Sequence, residues 1–313
     1  MHTSIRPIRT AGAFRRMLAA AAVVVLSGFV LPMATSGAAI VVPEPIGPWG
    51  YTNGFTRAGG GVMKCNFYRV ALGNGVAEKL NENSVACVDG LTFSPAGVLY
   101  GYTLPADMGA GDESHLVTIN TATGAQTQVG PMGHGFFEGG MTFDKDGKLW
   151  LYSEPDDDAC VLACLFAVDP ATGAAAVVGV PGIPGFVPTG LAANCSTVYA
   201  TGAIASGFPG DSLYTVNTGT GAVALVGPTN QPVFTEGLDF AADGTLYAIG
   251  EPFFEGPVSY APKSFTVDPA TGAGTNVQTW VSDDETPNSI FGLAIAGQSC
   301  TPPVVELQPN FTG

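Results

Sequence analysis

Asp89 and Glu236 each stand immediately before a Gly-Leu-x-Phe unit, Gly90-Leu-Thr-Phe93 and Gly237-Leu-Asp-Phe240. Glu138 stands two residues before the related Gly140-Met-Thr-Phe143. Carboxylates at matching places in a recurring unit can face each other across an axis. Such a pair can work as acid and base on a glycosidic bond or drive an elimination, provided one of them has a raised pKa. Glu154 and Glu251 open two further acidic stretches, Glu154-Pro-Asp-Asp-Asp158 and Glu251-Pro-Phe-Phe-Glu255. With Asp89 and Glu236 they form a candidate oxygen set for Ca2+, although their spacing matches no calcium loop. His134, in Gly133-His-Gly-Phe-Phe-Glu138, is a candidate general base, since imidazole titrates near neutrality. Only three histidines exist, and one is His2, so a structural zinc site is not expected. No Gly-x-Ser-x-Gly elbow, phosphate loop or His-Glu-x-x-His motif is present, nor any signature of a quinone or haem site.

The elements that must position these residues come from a repeat. Leu165-Phe-Ala-Val-Asp-Pro-Ala-Thr-Gly173 recurs as Leu116-Val-Thr-Ile-Asn-Thr-Ala-Thr-Gly124, Leu213-Tyr-Thr-Val-Asn-Thr-Gly-Thr-Gly221 and Ser264-Phe-Thr-Val-Asp-Pro-Ala-Thr-Gly272. A shorter relative ends at Gly75. Each reads as a β-hairpin: alternating apolar residues enter a turn in which Asp or Asn bonds the backbone and Gly takes φ > 0. The turn glycines at 75, 124, 173, 221 and 272 are 49, 49, 48 and 51 residues apart. Each hairpin is preceded by another recurring unit, a hairpin with Asp-Gly or Pro-Ala-Gly turn chemistry at Gly90, Gly140 and Gly237, one residue shorter at Gly190 and present as its first half alone at 292–296, so one repeat holds four short strands in about 50 residues. That is the size of a β-propeller blade. Repeats begin at Gly90, Gly140, Gly190 and Gly237; a fifth is split, with 292–296 as its innermost strand and about 46–80 as the other three. The expectation is an all-β, five-bladed propeller closed by this one-plus-three clasp, which removes an open sheet edge. A sixth blade would have to come from 39–64, where little chain is left for it. The 4–1 and 2–3 loops share one face, which gathers Asp89, Glu138, Glu236, His134, Glu154, Glu251 and Asp283-Asp-Glu285 around the mouth of an expected water-filled channel. Phe136, Phe137, Phe253 and Phe254 are expected there too, as a contact patch or as staples.

The pattern Leu-Tyr-x-Val-Asp-Pro-Ala-Thr-Gly-Ala-x-x-x-Val-Gly, preceded by Gly-Leu-x-Phe and Asp-Gly-x-Leu-Tyr, resembles repeats of secreted bacterial propellers of actinobacterial type. The resemblance spans residues 46–297 and implies the fold. Propellers similar to this one include lactonases, streptogramin-type lyases, glycosidases, quinone-dependent dehydrogenases and pure binding proteins, and framework residues do not choose among them.

Residues 1–38 read as a secretory signal peptide: Arg6, Arg9, Arg15 and Arg16, the apolar run 17–30, then small residues ending near Ala38. Arg15-Arg16 before Met17 also resembles a twin-arginine signal, the alternative to the general secretory route. The propeller is expected over 39–300 and a tail over 301–313. The full chain has a formal charge of −15; removing the leader leaves 7 basic against 26 acidic residues, or −19. That excludes nucleic acid as a partner and, once the leader is cleaved, a membrane surface, both of which select basic patches. A monomer is expected. Six cysteines in an exported chain predict three bridges: Cys65–Cys87, Cys160–Cys164 and Cys195–Cys300. The functional expectation is a secreted, non-catalytic module that binds a protein or carbohydrate on the acidic face. The alternative is a hydrolase or lyase at the channel mouth.

Overall fold

A computed structural model describes residues 42–57, 63–81, 86–104, 112–157, 159–160, 163–204, 210–252, 261–282, 287 and 289–297. Residues 1–38 and 301–313, the expected leader and tail, lie outside them. Among the described residues, no helix is long and apolar enough to cross a membrane.

Twenty strands form five antiparallel four-stranded sheets, and the sheets are the blades that the repeat predicts. Blade 1 is β4 (Val88–Phe93), β5 (Leu99–Thr103), β6 (His115–Ile119) and β7 (Gln126–Pro131). Blade 2 is β8 (Phe136–Phe143), β9 (Leu149–Pro155), β10 (Cys164–Val168) and β11 (Ala175–Gly179). Blade 3 is β12 (Phe186–Ala193), β13 (Val198–Ile204), β14 (Ser212–Val216) and β15 (Val223–Pro228). Blade 4 is β16 (Val233–Phe240), β17 (Leu246–Pro252), β18 (Lys263–Val267) and β19 (Gly274–Thr279). Blade 5 joins β20 (Ser289–Ile295) to β1 (Trp49–Arg57), β2 (Met63–Ala71) and β3 (Val76–Lys79). The clasp is thus one carboxyl-terminal strand zipped to three amino-terminal ones, with Gly50 opposite Ile295 and Phe55 opposite Ser289.

The first strands of the blades, β4, β8, β12, β16 and β20, touch in that order and close on themselves around the axis. Between neighbouring blades lie the apolar cores. One packs Tyr102, Leu116 and Met132 of blade 1 against Phe136, Leu151 and Phe166 of blade 2, with Phe136 edge-on to Phe166 at 4.9 Å. Of the aromatics that recur at framework positions, Tyr68, Trp150 and Tyr214 are buried and Tyr100, Tyr199 and Tyr247 half-buried; Trp150 and Tyr214 pack in the core between blades 2 and 3.

The channel is the point at which expectation fails. Its waist is lined by Gly90, Gly140, Gly190, Gly237 and Gly292 with Leu91, Met141, Leu191, Leu238 and Leu293, which close in so far that no space for a water molecule is left between them. A water-filled passage is therefore not what these residues form. Glycines let the inner strands close in: a Cβ on Gly237 would come 2.5 Å from the backbone nitrogen of Leu293.

The turn glycines have a second duty besides φ > 0. Gly221 has φ of 75°, and a Cβ there would lie 2.5 Å from the carbonyl carbon of Gly179 at the end of blade 2's outer strand. Next to it Val223 N donates to Pro181 O (2.9 Å), and Ala175 N donates to Met132 O (3.1 Å) one seam earlier. Each 3–4 turn is therefore also a blade-to-blade joint. Gly221→Ala should lower stability by at least about 2 kcal/mol, combining backbone strain with the clash. Gly147→Ala, at a similar φ of 76° but facing open space, should lose about 1 kcal/mol. Urea melts of the two variants measure the difference, which isolates the joint.

Candidate functional site

Each inner strand is bulged within two residues of its axial glycine. The shifts fall between Asp89 and Thr92, Phe136 and Gly139, Pro188 and Gly190, and Thr235 and Gly237; in the clasp the bulge places Gly292 and Leu293 opposite Thr52. A bulge re-aims the side chain beside it. This turns the acids of the sequence motif inward. Asp89 is 2% exposed and Glu236 is 3% exposed, so neither is the solvated channel residue that the motif suggested.

Asp89 lies at the seam of blades 1 and 2. Its Oδ1 accepts from Gly90 N (2.6 Å) and its Oδ2 from Gly139 N (3.1 Å) and from the Tyr102 hydroxyl (3.3 Å). Tyr102 also donates to Phe137 O (2.8 Å), and Ser153 Oγ donates to Phe137 O and Glu138 O. Burial, reinforced by the negative charge of Glu138, pushes the Asp89 carboxyl up to about 8; the bonds from Gly90, Gly139 and Tyr102 only partly oppose this. Glu138 itself is half-buried on the loop side. Asp89 and Glu138 are thus brought together, with Tyr102 and Ser153 around them.

The other candidates go elsewhere. Glu251, at the end of β17, accepts from Ser289 Oγ and Ile290 N (2.8 Å) and so grips the start of the closing strand. Asp239, which the motif did not single out, accepts from Ile295 N (2.7 Å) and Phe240 N (2.8 Å) and grips the other end. Burial pushes Asp239 up to about 7. Glu154 holds the same repeat position as Glu251 and is half-buried. Glu236 is the bulged residue of β16, and Thr235 N beside it donates to Asp211 Oδ2 (2.5 Å). Among the described residues, no three His, Cys, Asp or Glu side chains gather as a metal-holding group.

His134 packs in the seam of blades 1 and 2, with its ring 5.7 Å from Phe136 and 5.4 Å from Phe166. Its Nδ1 lies 2.6 Å from Asp157 Oδ2, a pairing of loops from two blades that spacing alone does not show. Phe136 is fully buried and Phe137 half-buried, because neighbours on a strand face opposite ways. Phe253, Phe254 and Asp283-Asp-Glu285 lie outside the described residues. Cys65–Cys87 and Cys160–Cys164 are bridged as expected. Cys195 is disulfide-bonded too, and its expected partner Cys300 lies outside the described residues. These bridges are compatible with an extracellular protein.

The sequence matches no protein-family model and no curated protein. Among solved structures the chain is similar to an exo-β-1,3-galactanase from Clostridium thermocellum, at 14% identity and a TM-score of 0.51 over 75% of this chain and 63% of that one. It is also similar to TolB from Acinetobacter baumannii, at 12% identity and a TM-score of 0.42 over 74% and 52%. A gluconolactonase from Xanthomonas campestris matches at 13% identity and 0.41 over 83% and 96%. The chain spans about half to three-fifths of the length of the first two. The likeness is one of fold alone. A fold by itself fixes no role.

Both buried aspartates have folded-state pKa values above the ordinary 3.8. Their stabilising contribution is full below about pH 4 and disappears as pH rises through 7 and 8. Melting temperature should therefore fall between pH 5 and pH 9. Asp89→Asn and Asp239→Asn should each flatten that fall and lower the melting temperature at pH 5, because an amide keeps only one oxygen for the two backbone N–H groups that the carboxyl accepts, as calorimetry across the range would show.

Proposed function

We propose that this chain is an exported, non-catalytic propeller that binds a protein or carbohydrate ligand on the face carrying Glu138, Glu154, Asp156 and Asp157. The observation that supports this reading is the use to which the buried acids are put. Asp89 and Glu251 hold backbone N–H groups of the neighbouring blade, and the axis beside them is filled. The waist of the axis leaves no room for a water molecule, whereas ordinary small-molecule pockets hold about 300–1,000 Å3. Recognition by the broad rim of half-buried acids needs no such pocket. The signal-like leader and the disulfides support export, and the mature charge of −19 favours neutral or cationic partners over polyanions. Ca2+ enters this reading as a proposed, optional ligand of the acidic rim.

One observation favours a second reading, a hydrolase or lyase. Burial pushes the Asp89 carboxyl up to about 8, and Glu138, Tyr102 and Ser153 stand close by, so a carboxyl of raised pKa lies beside a second carboxyl as acid–base chemistry requires.

The two readings separate in one experiment on the mature protein. Binding is measured on an array of glycans and extracellular proteins, with and without Ca2+, and turnover on β-1,3-galactan and aldonolactones. The binding reading expects saturable binding that weakens about tenfold or more in Glu138→Lys, a loss of about 1.4 kcal/mol, and is unchanged in Asp89→Asn, with no turnover. Turnover by the wild type that disappears in both Asp89→Asn and Glu138→Gln would establish the hydrolytic reading instead.

A further inference from the structure

The Cys160–Cys164 bridge joins residues only four apart, whereas Cys65–Cys87 spans 22. A disulfide stabilises mainly by restricting the unfolded chain, and a loop this short restricts it least. The segment is also held without the bridge. Asp156 N donates to Gly135 O (2.8 Å) and Gly135 N to Asp156 Oδ1 (3.2 Å). Asp157 pairs with His134 and accepts from Ala159 N (2.8 Å). On the other side, Cys164 opens β10 in register with Ser153 of β9. The two cysteines differ in burial, as Cys65 and Cys87 of the longer bridge also do, so the short loop and the independent contacts are what set this bridge apart. Cys164 is fully buried in the apolar core with Phe136 and Phe166, while Cys160 is only half-buried at the rim of that core.

We propose that Cys160–Cys164 is a thiol–disulfide exchange site that takes a small-molecule or protein thiol at Cys160. The attacking thiolate forms a bond to Cys160 Sγ, the Cys160–Cys164 bond breaks, and Cys164 leaves as a thiolate that takes a proton from water. A second thiol then attacks the external sulfur of the mixed disulfide. It departs as a disulfide with the first, and Cys160 is left to take a proton. Two thiols are oxidised to one disulfide, and the protein disulfide is reduced to two thiols. Access decides which sulfur is attacked, and Cys160 is the less buried of the pair. Because the Asp156, Asp157 and β9–β10 contacts remain, the blades stay assembled when the bridge opens. This inference is independent of which ligand the acidic face takes.

The test uses the full mature protein in graded glutathione buffers, with thiols trapped by iodoacetamide and located by peptide mass spectrometry, and melting followed in parallel. Cys160–Cys164 should open about tenfold faster than Cys65–Cys87, with the melting temperature lowered by no more than about 4 °C. Cys164→Ser should accumulate a glutathione adduct on Cys160, and Cys160→Ser should form none on Cys164. The proposal is overturned if the short bridge opens only with global unfolding, if it opens no faster than Cys65–Cys87, or if Cys164 carries the adduct.

Discussion

An inner strand of a propeller is an edge of its own sheet, yet it lies at the most buried place in the molecule. Its outward N–H groups have no strand beside them and no water, and a buried donor left without a partner costs about 1–3 kcal/mol. This constraint organises the structure. Asn53 accepts from Val88 N, Ser114 from Phe136 N, Asp89 from Gly139 N, Asp211 from Thr235 N, Glu251 from Ile290 N and Asp239 from Ile295 N. Every acceptor comes from the blade before the donor's own. Side chains thus do at these four seams what a neighbouring strand does inside a sheet. For the carboxyls the arrangement carries a penalty, since removal from water disfavours the charge, and Asp89 and Asp239 respond with raised pKa values.

Much of this architecture was legible in the sequence, because a blade must place the same residue types at the same points each time round. The evenly spaced turn glycines implied strand number, blade number and the split fifth blade, and the loop faces implied two of the bridges. The depth of Asp89 was not legible. The motif places it on the correct face but is silent on the bulge that turns it inward and on Gly139, fifty residues away, which holds it. The axial glycines carried a readable signal that pointed the other way from a water-filled channel: residues without a Cβ mark close approach of backbones. The His134–Asp157 pair depends on two loops of different blades, and its only sequence trace is an acidic run on the face that the histidine shares.

These findings change what acidity means in this chain. Part of it is structural, buried at the seams and bonded to backbone N–H groups of the next blade. Part is on the 4–1 and 2–3 loop face, around Glu138 and the stretch beginning at Glu154. The binding reading rests on the second group, and the charge of Glu138 acting on Asp89 links the two. The fold itself is shared with proteins of quite different activities, so the division between seam and rim is the more informative property.

The central claim is that side chains of one blade hold the inner-strand amides of the next. Native-state hydrogen exchange read residue by residue tests it most directly. The account predicts that the amides of Gly139, Ile290 and Ile295 exchange only through global unfolding, and that Asp89→Ala releases Gly139 alone into faster, local exchange. If these amides exchange in the native protein as fast as those of the exposed turns, the seams are not held in this way.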